Sequence, residues 1–342
     1  MDDQAPLSGE ACPAPETKVA WLQRPEIYPD QPARIDVVET HMAWVFLTDR
    51  YAYKLKKPVR YDVLDLRTLA GRRHNCLEEV RLNRRLARDV YLEVIPLTVD
   101  GDGQLHLDRQ GRVVDWLIKM RRLPNERMLD VLIARRRISA AEIRQVARTI
   151  VGFYQASPPL LIDGEAYRRQ LAEDIQLNQA KLADLACGFP GAWVRQLHQA
   201  QLTFLAREPE LFQRRAAAGR ILEGHGDLRP EHICLEPEPV IFDCLEFNRR
   251  YRILDAADEL GFLAMECERI GAGFVDRILF EIYAELTQDR PPQRLINFYK
   301  TFRACLRARL AIRHTQEPHG GNGARWRDLA ADYLRLAERY KP

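Results

Sequence analysis

No Gly-Lys dipeptide occurs anywhere in the 342 residues, so the chain carries no G-x-x-x-x-G-K phosphate loop. It has no C-x-x-C pair either. Its seven cysteines, Cys12, Cys76, Cys187, Cys234, Cys244, Cys267 and Cys305, are odd in number and widely scattered. That argues against a disulfide framework or a cysteine zinc site and fits reduced thiols in a cytoplasmic compartment. No stretch approaches the ~18 uninterrupted apolar residues of a membrane span, so no membrane partner is expected. An excess of one charge is missing too: 52 Lys and Arg against 49 Asp and Glu leave +3, too little to hold a nucleic acid polymer by general attraction. Met1–Thr17 is acidic and proline-containing, without the basic flank and apolar core of a signal peptide. Residues 1–20 read as a flexible tail.

The sequence does contain a β-rich start and a helical remainder. Ile35–Glu39, Ala43–Leu47 and Tyr51–Leu55 read as consecutive antiparallel strands. Apolar residues recur every three to four positions from Leu66 to Arg88, predicting a helix broken near Gly71. Strand signals return at Val94–Val99, Leu105–Leu107 and Val113–Met120. After Pro124 the pattern becomes helical, most clearly from Ser139, which opens a capping box with Glu142. The expected division is a β-rich N-lobe over 21–121 and a helical C-lobe over 122–342. No internal repeat of 20 to 50 residues is present.

One polar island interrupts the helices. Gly224-His225-Gly226-Asp227-Leu228-Arg229-Pro230-Glu231-His232 leads into Ile233-Cys234-Leu235, and Val240-Ile241-Phe242-Asp243 follows a turn at Glu236–Pro239. A flexible loop over 224–232 followed by a tight hairpin within 233–247 brings Asp227, His232 and Asp243 toward one point. An acid beside a second acid and an imidazole can deprotonate a hydroxyl and bind a divalent metal.

This run resembles the H-G-D-x-x-x-x-N loop of aminoglycoside phosphotransferases and related small-molecule kinases of the protein kinase-like superfamily. The resemblance implies an α+β, bilobal kinase-like fold and transfer of the γ-phosphoryl group of ATP to a hydroxyl of a small molecule. By that pattern Asp227 is the catalytic aspartate that orients or deprotonates the acceptor hydroxyl, and Asp243 bridges Mg²⁺ to the nucleotide phosphates. His232 stands where the pattern has asparagine. An imidazole nitrogen suits manganese or zinc better than an amide oxygen does, so Mn²⁺ is an alternative to Mg²⁺.

The N-lobe matches independently. Family members carry a strand lysine for the α- and β-phosphates and a helix glutamate that holds it. Lys54 and Glu79 match these, with Lys56 open as the alternative lysine because it lies on the same face of the strand. Glu79 is preferred to Glu78 by its place in an E-x-x-x-L-x-x-L helix, in which Asn83 replaces the first leucine. From about residue 30 most of the chain also resembles a bacterial group of uncharacterised aminoglycoside phosphotransferase-like proteins, through Phe242-Asp243-Cys244-Leu245-Glu246-Phe247-Asn248 to Asp255–Leu260. In the family, acids such as Asp255 and Asp258 brace the catalytic loop; the residues alone equally allow helix N-terminal acids. Two other readings stay open: a nucleotide-binding pseudokinase, and a metal-dependent phosphohydrolase using His225, Asp227, His232 and Asp243.

Overall fold

The computed structural model describes residues 12–61, 64–158, 160–184, 188–315 and 323–342. By its contacts the chain forms two units, one of residues 1–124 with Glu246–Asn248, the other of residues 125–245 and 249–342.

The first unit contains α1 (Pro15–Leu22), β1 (Asp36–Glu39), β2 (Ala43–Leu47), β3 (Tyr51–Lys56), β4 (Arg60–Tyr61), β5 (Leu64–Asp65), α2 (Leu69–Asn83), β6 (Tyr91–Val99), β7 (Leu105–Leu107) and β8 (Arg112–Arg121). Six strands form an antiparallel sheet in the order β1-β2-β3-β8-β6-β7. Alternation puts Tyr53 and Leu55 of β3 into a core with Leu22, Phe46, Ile95, Leu97 and Leu117, so Lys54 and Lys56 share the other face. Helix α2 is continuous through Gly71, against the expected break. Its N-cap Thr68 accepts the Gly71 amide, and a Cβ at Gly71 would lie 2.8 Å from the Asp65 carbonyl oxygen. The glycine serves close approach at the first turn.

The expected tail over 1–20 needs correction: its last residues are helical. Pro15 starts α1, where its missing N–H costs nothing. The helix is then anchored by burial of Leu22 and by Lys18, whose Nζ meets Asp115 at 2.8 Å and the Val114 carbonyl at 3.0 Å. These partners lie almost a hundred residues away, beyond any local pattern. Residues 1–11 lie outside the described residues.

The second unit contains α3 (Leu129–Ala134), α4 (Ala140–Ala156), α5 (Gly164–Asp184), α6 (Gly191–Arg207), α7 (Pro209–Ala217), β9 (Ile221–Glu223), β10 (Ile233–Leu235), β11 (Pro239–Ile241), β12 (Ile253–Asp255), α8 (Ala256–Arg269), α9 (Phe274–Thr287), α10 (Gln293–His314) and α11 (Gly323–Tyr340). The capping box at Ser139 and Glu142 is present. Strand β9 pairs with β12 and β10 with β11, which fixes both ends of the polar loop. Helix α8 is buried along nearly its whole length and packs on α9 and α10. Among the described residues no helix is long and apolar enough to cross a membrane, and six cysteines are free thiols.

Candidate active site

In the helical unit, the loop between β9 and β10 is shaped by two glycines and one buried acid. Gly226 has φ +88°, and a Cβ there would crowd Arg252 and Leu245 at 3.1 Å, so only glycine fits without strain. Glu259 of α8 accepts the amides of His225 at 2.9 Å and Gly226 at 2.7 Å, and the Tyr154 hydroxyl at 2.9 Å. The sequence alone gives Glu259 no role. Its signal was weak, an acid in the first turn of a helix. Glu259→Gln keeps the shape but turns one acceptor into a donor facing these groups. We expect a loss of about 1–3 kcal/mol, read as a lower denaturant midpoint; an unchanged midpoint would remove the brace.

Both ring nitrogens of His225 are committed. Nε2 donates to the Phe242 carbonyl at 2.9 Å, and Nδ1 accepts the Asp227 amide at 3.3 Å. Burial pushes its pKa below the ordinary histidine value, against the opposing pull of Glu259. His225 is therefore a structural strut between loop and hairpin, unsuited to the metal ligation that a phosphohydrolase would ask of it.

His232 stands between the two acids singled out from the sequence. Its Nδ1 lies 3.7 Å from Asp227 Oδ2 and its Nε2 lies 3.5 Å from Asp243 Oδ2. Nδ1 is also 2.8 Å from the Asp227 carbonyl oxygen, which only accepts, so Nδ1 carries the hydrogen. Nε2 then presents a lone pair, toward which Arg229 Nη2 donates at 3.1 Å. That donation occupies the single lone pair, so a metal could reach Nε2, 3.5 Å from Asp243 Oδ2, only once Arg229 releases it. Asp243 is 40% exposed at its side chain and has φ +60°, a left-handed conformation that aspartate adopts more readily than most residues.

Asp227 is held ionised. Burial works against its charge, but the neighbouring guanidinium groups, Arg229 first and then Arg307, outweigh it and keep the carboxyl below its ordinary value. Arg229 Nε is 3.1 Å from Oδ1 and 3.2 Å from Oδ2. Among the described residues no three His, Cys, Asp or Glu side chains form an all-protein metal cage. Magnesium at phosphoryl-transfer sites is usually held by one or two carboxylates plus the substrate's phosphates, and Asp243 fits that kind of donor set; His232 Nε2 would join it only on release from Arg229.

Asp255 and Asp258 do not bond the loop. Asp255 caps α8 through the Ala257 amide and grips Arg215, and Asp258 grips Arg303.

In the β-rich unit, Glu79 is fully buried and meets both candidate lysines. Lys54 Nζ reaches Oε1 at 2.7 Å, and Lys56 pairs with Oε2 and with Glu246 at 2.7 Å. Burial alone would lower the Lys56 pKa, and Glu246 and then Glu79 reverse this and raise it. The Lys54 side chain is 15% exposed against 1% for Lys56. Glu78 faces outward and pairs with Arg81. Asn83, the departure from the leucine pattern, donates to the Glu79 carbonyl at 2.9 Å.

No family model matches the chain. An uncharacterised protein of Mycobacterium tuberculosis is 32% identical over 288 residues, 82% of this chain and 56% of that protein, and a Mycobacterium bovis protein matches equally. The chain spans about half the length of the curated relatives it matches. Among solved structures, the choline kinase of Cryptosporidium parvum aligns over 95% of both chains with a TM-score of 0.52 and 8% identity. The chain has the bilobal protein kinase-like fold, an α+β architecture. A choline/ethanolamine kinase family protein of Mesorhizobium loti aligns over 94% of this chain and 99% of its own, with a TM-score of 0.49 and 15% identity.

Proposed function

We propose that the protein is an ATP-dependent phosphotransferase that moves the γ-phosphoryl group to a hydroxyl of a small-molecule acceptor. The observation that carries this reading is His232 standing between Asp227 and Asp243, its ring nitrogens 3.7 and 3.5 Å from their carboxylates. Asp227 orients the acceptor hydroxyl and takes its proton. The hydroxyl oxygen bonds to the γ-phosphorus as the bond to the bridging oxygen breaks, and ADP leaves with that electron pair. Asp243 would hold Mg²⁺, or Mn²⁺ where His232 Nε2 joins it on release from Arg229. The metal supplies neutralisation of phosphate charge. Lys54, the more exposed lysine on Glu79, contacts the α- and β-phosphates, while Lys56, saturated by two carboxylates, fixes Glu79 in place. Transfer of this kind asks mainly for positioning and charge stabilisation.

The Arg229 grip on Asp227 favours one second reading, a nucleotide-binding module without turnover. Thermal unfolding with ATP and Mg²⁺, then Mn²⁺, tests what both readings share. At a hundredfold excess over Kd, ATP should stabilise the wild type by about 2.7 kcal/mol, and Asp243→Ala should abolish most of that. No shift with either metal at millimolar ATP sinks both. ADP formation on adding an acceptor separates them.

A further inference from the structure

In the helical unit, two arginines converge on one buried carboxylate. Glu266 of α8 has no exposed surface. Its oxygens accept the Tyr333 hydroxyl of α11 at 2.7 and 2.9 Å, Arg269 Nε at 2.9 Å, and stand 3.2 Å from Arg307 Nε of α10. Both guanidinium groups lie over the Tyr333 ring, at 5.2 and 5.6 Å from its centroid. Three helices thus fix the two side chains, and each is fixed through Nε alone. Among the described residues the terminal nitrogens of Arg269 and Arg307 meet no hydrogen-bond partner, and the side chains keep 20% and 19% of their surface exposed.

The charge does not balance within this triad. Two guanidinium groups share one carboxylate, leaving one positive charge in a largely desolvated setting, where unbalanced charge is costly. Asp227, itself gripped by Arg229, is within electrostatic reach of Arg307 and offsets part of its charge. Glu231 is within electrostatic reach of Arg269 and offsets part of its charge. An arginine anchored at Nε still offers its paired terminal nitrogens, a fork that fits phosphate and carboxylate oxygens. Because Arg307 is within electrostatic reach of Asp227, an anion on the fork would lie in the neighbourhood of the acid proposed to address the acceptor.

We propose that Arg269 and Arg307 bind an anionic group of the acceptor, which is therefore an alcohol bearing a phosphate or carboxylate. The hydroxyl's fate rests on the phosphotransferase reading, whereas the anion site rests on the triad. A quaternary ammonium or polyamine acceptor would meet like charge here.

The test is inorganic phosphate titrated into the full chain without nucleotide, at constant ionic strength, with thermal unfolding as readout. Wild type, Arg269→Gln, Arg307→Gln, Glu266→Gln and the surface control Arg277→Gln are compared. Phosphate should raise the wild-type midpoint saturably. Arg269→Gln and Arg307→Gln should each weaken its apparent affinity at least about tenfold, the equivalent of about 1.4 kcal/mol, and Arg277→Gln should leave it unchanged. Glu266→Gln removes the competing carboxylate and should tighten phosphate binding, an outcome that mere damage to the fold cannot produce. No saturable response in wild type, or one that survives both arginine substitutions, overturns the proposal. ADP formation from neutral or cationic alcohols that Arg307→Gln leaves untouched also overturns it, while leaving the phosphotransferase reading in place. Failure of ATP to bind removes the phosphotransferase reading and leaves the phosphate titration to stand or fall alone.

Discussion

Asp227→Asn is expected to slow acceptor-dependent ADP formation by roughly a hundred- to ten-thousand-fold, with the ATP-induced thermal shift retained. The substitution keeps size and shape and removes only the charge and the proton-accepting oxygen. The partly exposed Arg229 loses an ion pair of the kind worth about 0–1 kcal/mol, so the protein should remain folded. The surroundings that keep Asp227 ionised, Arg229 above all, make it a weak base in the resting state. That is tolerable where the transition state is loose and the proton leaves late, because orientation of the hydroxyl then matters most. Steady-state kinetics beside ATP-dependent unfolding separate chemistry from binding. A variant as fast as wild type would take Asp227 out of the reaction, and a variant that lost ATP stabilisation would make it a nucleotide residue instead.

The largest effect on stability should come from Asp255→Ala. Asp255 is fully buried. It accepts Arg215 Nε at 2.8 Å and Nη2 at 2.6 Å, the Tyr299 hydroxyl at 3.1 Å and the Ala257 amide at the start of α8. Truncation removes the helix cap and leaves Arg215 with Asp289 as its remaining carboxylate partner. Removing one member of a buried pair typically costs about 3–5 kcal/mol, and the surviving Asp289 contact places this case toward the lower end. The double variant Asp255→Leu with Arg215→Met should recover part of that loss, since it leaves no buried charge alone. Urea unfolding of the single and double variants checks this. A double variant as unstable as the sum of both singles would show that the charges were never coupled.

Local pattern made much of the fold legible. The strands at Ala43–Leu47 and Tyr51–Lys56, the capping box at Ser139 and the hairpin after the loop all follow from alternation, capping chemistry and turn residues within a few positions. The same logic stopped at Pro15–Leu22, a short helix whose stability depends on Asp115 and on the core around Leu22. It also missed the hairpin of Arg60–Tyr61 and Leu64–Asp65, too short to show a period.

The candidate site divides in the same way. The sequence by itself determined that Asp227, His232 and Asp243 stand on one loop and hairpin, and that a strand lysine precedes a helix glutamate, because spacing along the chain controls both. Only tertiary structure decided that Lys54 and Lys56 share Glu79 while Glu246 saturates the second of them. It also decided that Glu259, and neither Asp255 nor Asp258, braces the loop, that His232 Nε2 accepts from Arg229 while standing 3.5 Å from Asp243, and that Arg269 and Arg307 meet on Glu266. Side-chain pairing and protonation depend on distances between segments far apart in the chain. Only packing sets those distances, and burial then sets the energy of each charge that packing brings together.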